Sequence, residues 1–319
     1  MNIIFFGLGS IGKRHFRNLL LIPKQFNFFA YRVRKNPLPD DLQNIIIVDD
    51  LQDIKSLKID LAIISSPPSV QENIINFVVK YSINFYVEKP IGVNYSNLHP
   101  LLKEVKQKKL ISMVGFNLRA HPVHNEIKKI INQDLLGNIV SVRSMVGQYL
   151  PDWHPDEDYS RGYSANKTLG GGVLLDLTHE LDFVYSLFGD FSAYKAFFGK
   201  LSSLNTDTED IAEIIIEFKN NIFGSVRLDY IQTFPQREGQ IIGENATLFY
   251  DLINSKIEIF NKNGLSFSKE FGDFDRNEMY LTQMKLMIES VENKTFVKND
   301  FESGLKILKL VNDLKSDKE

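Results

Sequence analysis

The sequence predicts an α/β protein in two parts: a doubly wound parallel sheet over residues 1–118, and an α+β domain over 119–319 built on a large, mostly antiparallel sheet. Three observations predict this. Apolar runs alternate with amphipathic stretches through the first 118 residues, the pattern of a parallel sheet with covering helices. A Gly-x-Gly-x-x-Gly turn, Gly7 to Gly12, follows the first run directly. Past residue 190, strand-like runs succeed one another with no helix between them.

The elements follow in order. Apolar runs at 2–6, 26–31, 45–48, 60–64, 83–87 and 111–116 give six strands, the number a full dinucleotide-binding sheet uses. Amphipathic stretches at 11–22, 69–81 and 95–109 give helices. A helix at 123–132 and a long strand at 139–149 open the second part. A polar, aromatic loop comes next, then a helix over 171–188. Strands follow at 193–200, 208–218, 222–231, 236–242, 246–252 and 256–260, with a tight turn at Lys219-Asn220-Asn221. Helices at 277–292 and 301–315 close the chain.

At 319 residues, the chain is about twice the usual domain size. A net charge of −3 argues against a nucleic-acid partner. The lack of cysteine removes disulfides, thiolate metal sites and thiol nucleophiles. No leader-like segment or run of about 18 apolar residues is present, so a soluble cytoplasmic protein with no membrane partner is expected. Sequons such as Asn94-Tyr95-Ser96 are read as chance.

The turn Gly7-Leu8-Gly9-Ser10-Ile11-Gly12 has the strand–turn–helix context that dinucleotide binding requires. Its glycines allow a tight turn, a close pyrophosphate and close helix packing, while the helix N-terminus offers amide donors. About 20 residues on, NAD binding calls for an acid on the ribose. The chain has Tyr31-Arg32-Val33-Arg34 there, and no acid before Asp40. Guanidinium groups at Arg32 and Arg34 suit a 2′-phosphate, which favours NADP over NAD; the alternative is solvated surface. Ser65-Ser66-Pro67-Pro68 forms an extended turn at the carboxyl edge of the sheet, where Ser65, Ser66 and Pro67 can flank a dinucleotide.

Two segments carry chemistry. Glu88-Lys89-Pro90 ends the fifth run, delivering a lysine to the ligand edge ahead of a proline that lacks an amide donor and permits a cis bond. Gly170-Gly171-Gly172 then leads a helix bearing Asp176 and His179, three apart and on one face. Oxidising an alcohol needs a base for the hydroxyl proton and a positive charge for the developing alkoxide. His179 suits the first and Lys89 the second.

In these segments the chain resembles the Gfo/Idh/MocA oxidoreductases. The likeness also takes in Lys13-Arg14-His15 after the glycine turn, Gly115-Phe116-Asn117-Leu118-Arg119, and Phe301 to Lys306. It implies a Rossmann domain, NAD or NADP, and a C-terminal open sheet that forms homodimers or homotetramers. It also implies that Lys89 touches the reacting hydroxyl and that Asp176 and His179 serve as substrate ligand and acid/base. Glu88, Pro90 and Asn117 join the cofactor-binding residues. Two departures stand out: the Asp-to-His step is three where four is common, and Gln71 stands where many members carry histidine. Leu-Thr-His-Glu-Leu-Asp at 177–182, with Pro151 to Pro155 ahead of it, is similar to a bacterial subgroup linked to surface-sugar synthesis, which implies a nucleotide sugar or amino sugar. Arg119, Trp153, His154, Tyr163, Lys167 and Arg237 are candidate substrate contacts.

Tyr163-x-x-x-Lys167 fits a short-chain-dehydrogenase pattern, but the glycine motif does not belong to that class and the tyrosine lies in a loop. His121 and His124 lack a third ligand, so no metal is expected. A free sugar or polyol substrate, or a non-catalytic cofactor-binding sensor on the same fold, are the alternatives.

Overall fold

The computed structural model describes residues 1–32, 40–153, 156 and 158–317. The chain forms two compact units: Met1–Phe116 with Tyr280–Lys309, and Asn117–Met279 with Leu310–Glu319.

The first unit holds strands β1 (Asn2–Phe6), β2 (Asn27–Tyr31), β3 (Ile46–Val48), β4 (Leu61–Ile64), β5 (Asn84–Val87) and β6 (Ser112–Val114). They form one sheet in the order β3-β2-β1-β4-β5-β6, parallel throughout. Helices α1 (Ser10–Leu20), α2 (Pro68–Lys80), α3 (Tyr95–Leu98) and α4 (Leu101–Gln107) connect the strands. The sequence reading has one helix over 95–109. The structure interrupts it at His99-Pro100, because proline cannot donate the amide that would continue the helix. Burial on both faces explains the unbroken apolar runs: β1 and β4 are buried almost throughout.

The second unit holds α5 (Pro122–Asn132), β7 (Ile139–Gly147), α6 (Val173–Asp176) and α7 (Thr178–Phe188). Strands β8 (Phe191–Gly199), β9 (Ile211–Phe218), β10 (Phe223–Asp229), β11 (Gln236–Gly243), β12 (Thr247–Asp251), β13 (Lys256–Asn261) and β14 (Gly264–Glu270) follow. The sheet order is β14-β13-β12-β11-β7-β10-β9-β8. Only β7 and β10 pair in parallel. Its alternation is clear in β9, where Ala212, Ile214, Ile216 and Phe218 are buried while Glu213 and Ile215 face out. Strand β14 is absent from the sequence reading; it is an edge strand whose residues are nearly all exposed, so it carries little apolar signal.

Helices α8 (Asn277–Asn293) and α9 (Phe301–Ser316) divide between the units. The sequence reading gives all of 119–319 to one domain, whereas Tyr280–Lys309 joins the first unit. The cause is apolar: Leu281, Met284, Met287 and Ile288 are buried in one core with Ile3, Phe5, Phe16 and Met113. Burying each such side chain contributes about 1.5–3 kcal/mol. Asn299 adds hydrogen bonds to the backbone of Val114. Among the described residues, no helix is long and apolar enough to cross a membrane, and no three His, Cys, Asp or Glu side chains gather as a metal set.

Candidate active site

In the first unit, the glycine turn lies at the carboxyl end of the central strand β1. Gly7 has φ +103°, and a Cβ on Gly12 would lie 2.3 Å from the Gly7 carbonyl oxygen. These positions admit only glycine. Gly9 faces open space, and α1 starts with no side-chain cap and no acid in its first turn. Its first amides therefore point at a cradle that fits a pyrophosphate. Leu8 and Ile11 are half-buried beside the exposed Ser10. The Ser65 hydroxyl donates to the Gly7 carbonyl at 2.8 Å, so it braces the turn. Gln71 Nε2 donates to the Ser66 carbonyl at 2.8 Å and shapes the turn that leads through Pro67 into α2. Tyr31 packs on Phe6 at the end of β2, and Arg32 follows with no ion pair to a described residue. Arg34 lies outside the described residues.

Strand β5 ends at Val87, two strands from β1 in the sheet order. Glu88 is buried, Lys89 is half-buried, and the Lys89–Pro90 bond is cis. Glu88 Oε1 lies 2.6 Å from His15 Nε2 and accepts from the Tyr86 hydroxyl at 3.1 Å.

In the second unit, Asp176 is buried and accepts hydrogen bonds from three hydroxyls. Tyr163 bonds to Oδ1; Ser164 at 2.6 Å and Tyr230 at 3.0 Å bond to Oδ2. Burial and the Asp176 charge hold the Tyr230 phenol well above its ordinary pKa, so it remains a donor. The expected single helix over 171–188 is broken: α6 ends at Asp176, and Leu177 leaves helical geometry with ψ 29°. Asp176 and His179 thus sit on two successive helices, and a three-residue step within one helix does not describe their geometry. Asp176 is anchored among hydroxyls, while His179 lies half-exposed in the first turn of α7.

The remaining candidates separate into groups. Arg119 forks onto the buried Asp182, with Nε to Oδ2 at 2.9 Å and Nη2 to Oδ1 at 2.6 Å. Burial raises the Asp182 pKa, and the guanidinium opposes the rise. Arg237 Nε donates to the buried Glu180 at 2.5 Å. Both arginines are therefore held by internal carboxylates. Trp153 stacks edge-on against Tyr230 with ring centroids 5.4 Å apart. Lys167 is exposed, and its backbone amide is held by Asp207. Asn117 opens the second unit as a buried residue. His154 lies outside the described residues. Sequence reasoning gives no role to Ser164, Tyr230, Tyr86 or His15; only His15 has a signal, its place six residues after Gly9 in the glycine motif.

His121 and His124 are buried and serve structure. His121 Nδ1 accepts from the Val123 amide and caps α5. His124 Nε2 lies 2.6 Å from the Ser186 hydroxyl. Burial, aided by nearby cations, lowers His121 to about 4 and His124 to about 3.

Comparison with known proteins follows the same division. Residues 1–116 match the family model described as oxidoreductase family, NAD-binding Rossmann fold, and residues 124–249 match the GFO/IDH/MocA C-terminal domain. The chain belongs to the Gfo/Idh/MocA oxidoreductase family. A myo-inositol 2-dehydrogenase of Thermotoga maritima is 23% identical over 314 residues, covering 94% of this chain and 88% of that protein. A levoglucosan dehydrogenase of Pseudarthrobacter phenanthrenivorans is 31% identical over 163 residues, 44% of this chain and 41% of that protein. Among solved structures, a levoglucosan dehydrogenase in complex with NADH aligns with TM-score 0.88 at 18% identity, over 99% of this chain and 96% of that one. A UDP-N-acetylglucosamine 3-dehydrogenase from Acidithiobacillus ferrooxidans aligns with TM-score 0.80 at 15% identity, over 99% and 97%. These structural likenesses establish the fold. The chain is an oxidoreductase with an NAD-binding first domain.

Proposed function

We propose that the protein oxidises a hydroxyl of a sugar or cyclic polyol, or reduces the matching ketone. The observation that carries this reading is Lys89 at the carboxyl end of β5, in the same sheet as a glycine cradle open for a pyrophosphate. Gly7, Gly9, Gly12 and the first amides of α1 hold the cofactor phosphates. Bound NAD(P) supplies the hydride acceptor. The Lys89 ammonium donates to the reacting oxygen and stabilises the alkoxide as charge develops. His179 takes the hydroxyl proton. Asp176 acts one step back, orienting Tyr163 through its carboxylate.

The substrate we favour is a free sugar or polyol. Relatives named for inositol and levoglucosan support it. So does the bidentate engagement of Arg119 with the buried Asp182, which draws that guanidinium toward an internal carboxylate. A nucleotide sugar of surface-polysaccharide synthesis is the second reading, favoured by the UDP-sugar dehydrogenase among similar structures and by the exposed Lys167. We assign the 2′-phosphate preference to Arg32, with NADP favoured over NAD. A second copy of the chain is the partner we propose for the outward sheet face that carries Ile215 and Phe249; sedimentation of the wild type tests it.

The test is hydride transfer with NAD⁺ and NADP⁺ across myo-inositol, levoglucosan and UDP-N-acetylglucosamine. Turnover of a free sugar alone supports the first reading, and turnover of the UDP-sugar alone rejects it in favour of the second. Lys89→Ala is expected to cut kcat by roughly 10²-fold with cofactor affinity near wild type. Wild-type turnover in that variant would sink the assignment. Arg32→Ala is expected to weaken NADPH far more than NADH in a fluorescence titration; equal losses would reject the 2′-phosphate role.

A further inference from the structure

Glu88 sits in a buried polar cluster that hydride transfer does not itself require. His15 is fully buried on α1, with Nε2 2.6 Å from Glu88 Oε1. The Tyr86 hydroxyl lies 3.1 Å from that same oxygen and 3.0 Å from Gln283 Oε1. One phenol proton cannot serve both acceptors. With the Gln283 amide turned, its nitrogen donates to Tyr86, which donates on to Glu88. Burial and the Glu88 charge keep the Tyr86 phenol protonated. Gly115 makes room: a Cβ there would lie 2.7 Å from the Tyr86 hydroxyl and 2.8 Å from Glu88 Oε2.

The surroundings are apolar, including Phe5, Phe16 and Met113. An apolar pair of similar size would stabilise this core as well as the His15–Glu88 pair does. What the polar bond adds is a fixed distance between two elements that apolar packing alone would let slide. One element is α1, which begins at the glycine cradle. The other is the residue immediately before Lys89.

We propose that His15 and Glu88 are positioning residues, their bond tying the cofactor-cradling helix to the Lys89 segment so that the cradle and the ammonium keep one spacing. This rests on the role given to Lys89 above.

Three variants test it: His15→Leu, which removes the ring donor; His15→Gln, which restores an N–H at similar reach; and Tyr86→Phe. The readouts are NADH affinity by fluorescence, kcat and KM on the sugar that the wild type oxidises, and the rate at which acetic anhydride acetylates Lys89, followed by peptide mass spectrometry. In His15→Leu, kcat is expected to fall about 30-fold, in line with a misplacement near 1 Å, while KM and NADH affinity stay within about 3-fold. Lys89 acetylation is expected to rise about 5-fold while Lys80 and Lys103 keep their rates. His15→Gln is expected to restore both values.

Unchanged kcat and unchanged Lys89 reactivity in His15→Leu overturn the proposal, as does a loss that His15→Gln does not restore. If His15→Leu does not fold, Tyr86→Phe decides, with kcat down about 3–10-fold and Lys89 acetylation raised; wild-type values there overturn it. The acetylation arm decides without a sugar. Lys89→Ala at wild-type turnover removes the underlying reading and this one together. An inactive Lys89→Ala beside a fully active His15→Leu removes this one alone.

Discussion

Glu88 and Asp176 are both buried carboxylates beside a proposed catalytic side chain, yet they are satisfied in opposite ways. Glu88 meets an imidazole and a phenol. Asp176 accepts from three hydroxyls. The first arrangement pairs acid with base and fixes one distance. The second spreads a negative charge over neutral dipoles drawn from 163, 164 and 230, gathering a loop and a strand end around one point. The difference teaches that equal burial does not mean equal function: one carboxylate ties two elements together, while the other organises a loop.

The largest expected effect tests that second role. Asp176→Ala orphans the buried hydroxyls of Ser164 and Tyr230 and the half-buried one of Tyr163, and is expected to cost roughly 3–5 kcal/mol, read as a fall in the urea midpoint. A loss below about 1 kcal/mol would break the comparison, because the loop would then be held by something else.

The next effect sharpens the contrast between a histidine bonded to a carboxylate, His15, and one bonded to neutral groups, His121. The folded His121 ring binds its proton more weakly than the unfolded ring, so acid favours unfolding. Its contribution is complete above the unfolded pKa of 6.5, is lost as pH falls through that value, and levels off below about 4. The loss is on the order of 3 kcal/mol. His121→Asn keeps an α5 cap and removes the titration, so thermal midpoints measured from pH 7 to pH 4 are expected to fall less steeply than in the wild type. Parallel slopes would show that His121 is not the sensor. The smallest effect is Tyr230→Phe, which removes one of three donors to Asp176 and is expected to cost about 1 kcal/mol in the same urea assay. A cost near that of Asp176→Ala would mean that the three hydroxyls act as one unit.

The first sheet was legible because its strands are buried on both faces and read as continuous apolar runs. The second was legible through alternation, as in β9. Where those signals fail, the reading fails. Strand β14 is a polar edge, and the break at Leu177 is invisible because a leucine there satisfies helical periodicity. The places of Lys89 at the end of β5 and of the glycine turn at the end of β1 could be read because each is set by local sequence. The partners of Asp176 could not: Ser164 and Tyr230 lie 12 and 54 residues away. The carboxylates that hold the two arginines were hidden for the same reason, since Asp182 and Glu180 lie 63 and 57 residues from Arg119 and Arg237.

The return of Tyr280–Lys309 to the first unit has a consequence for how the chain is made. The cradle and the Lys89 strand precede the second sheet in the chain, but Met284, Met287 and Ile288, which complete their core, are translated only after it. Until then the nascent parallel sheet carries an uncovered apolar flank. The core around the glycine cradle is therefore closed by residues synthesised only after the second sheet.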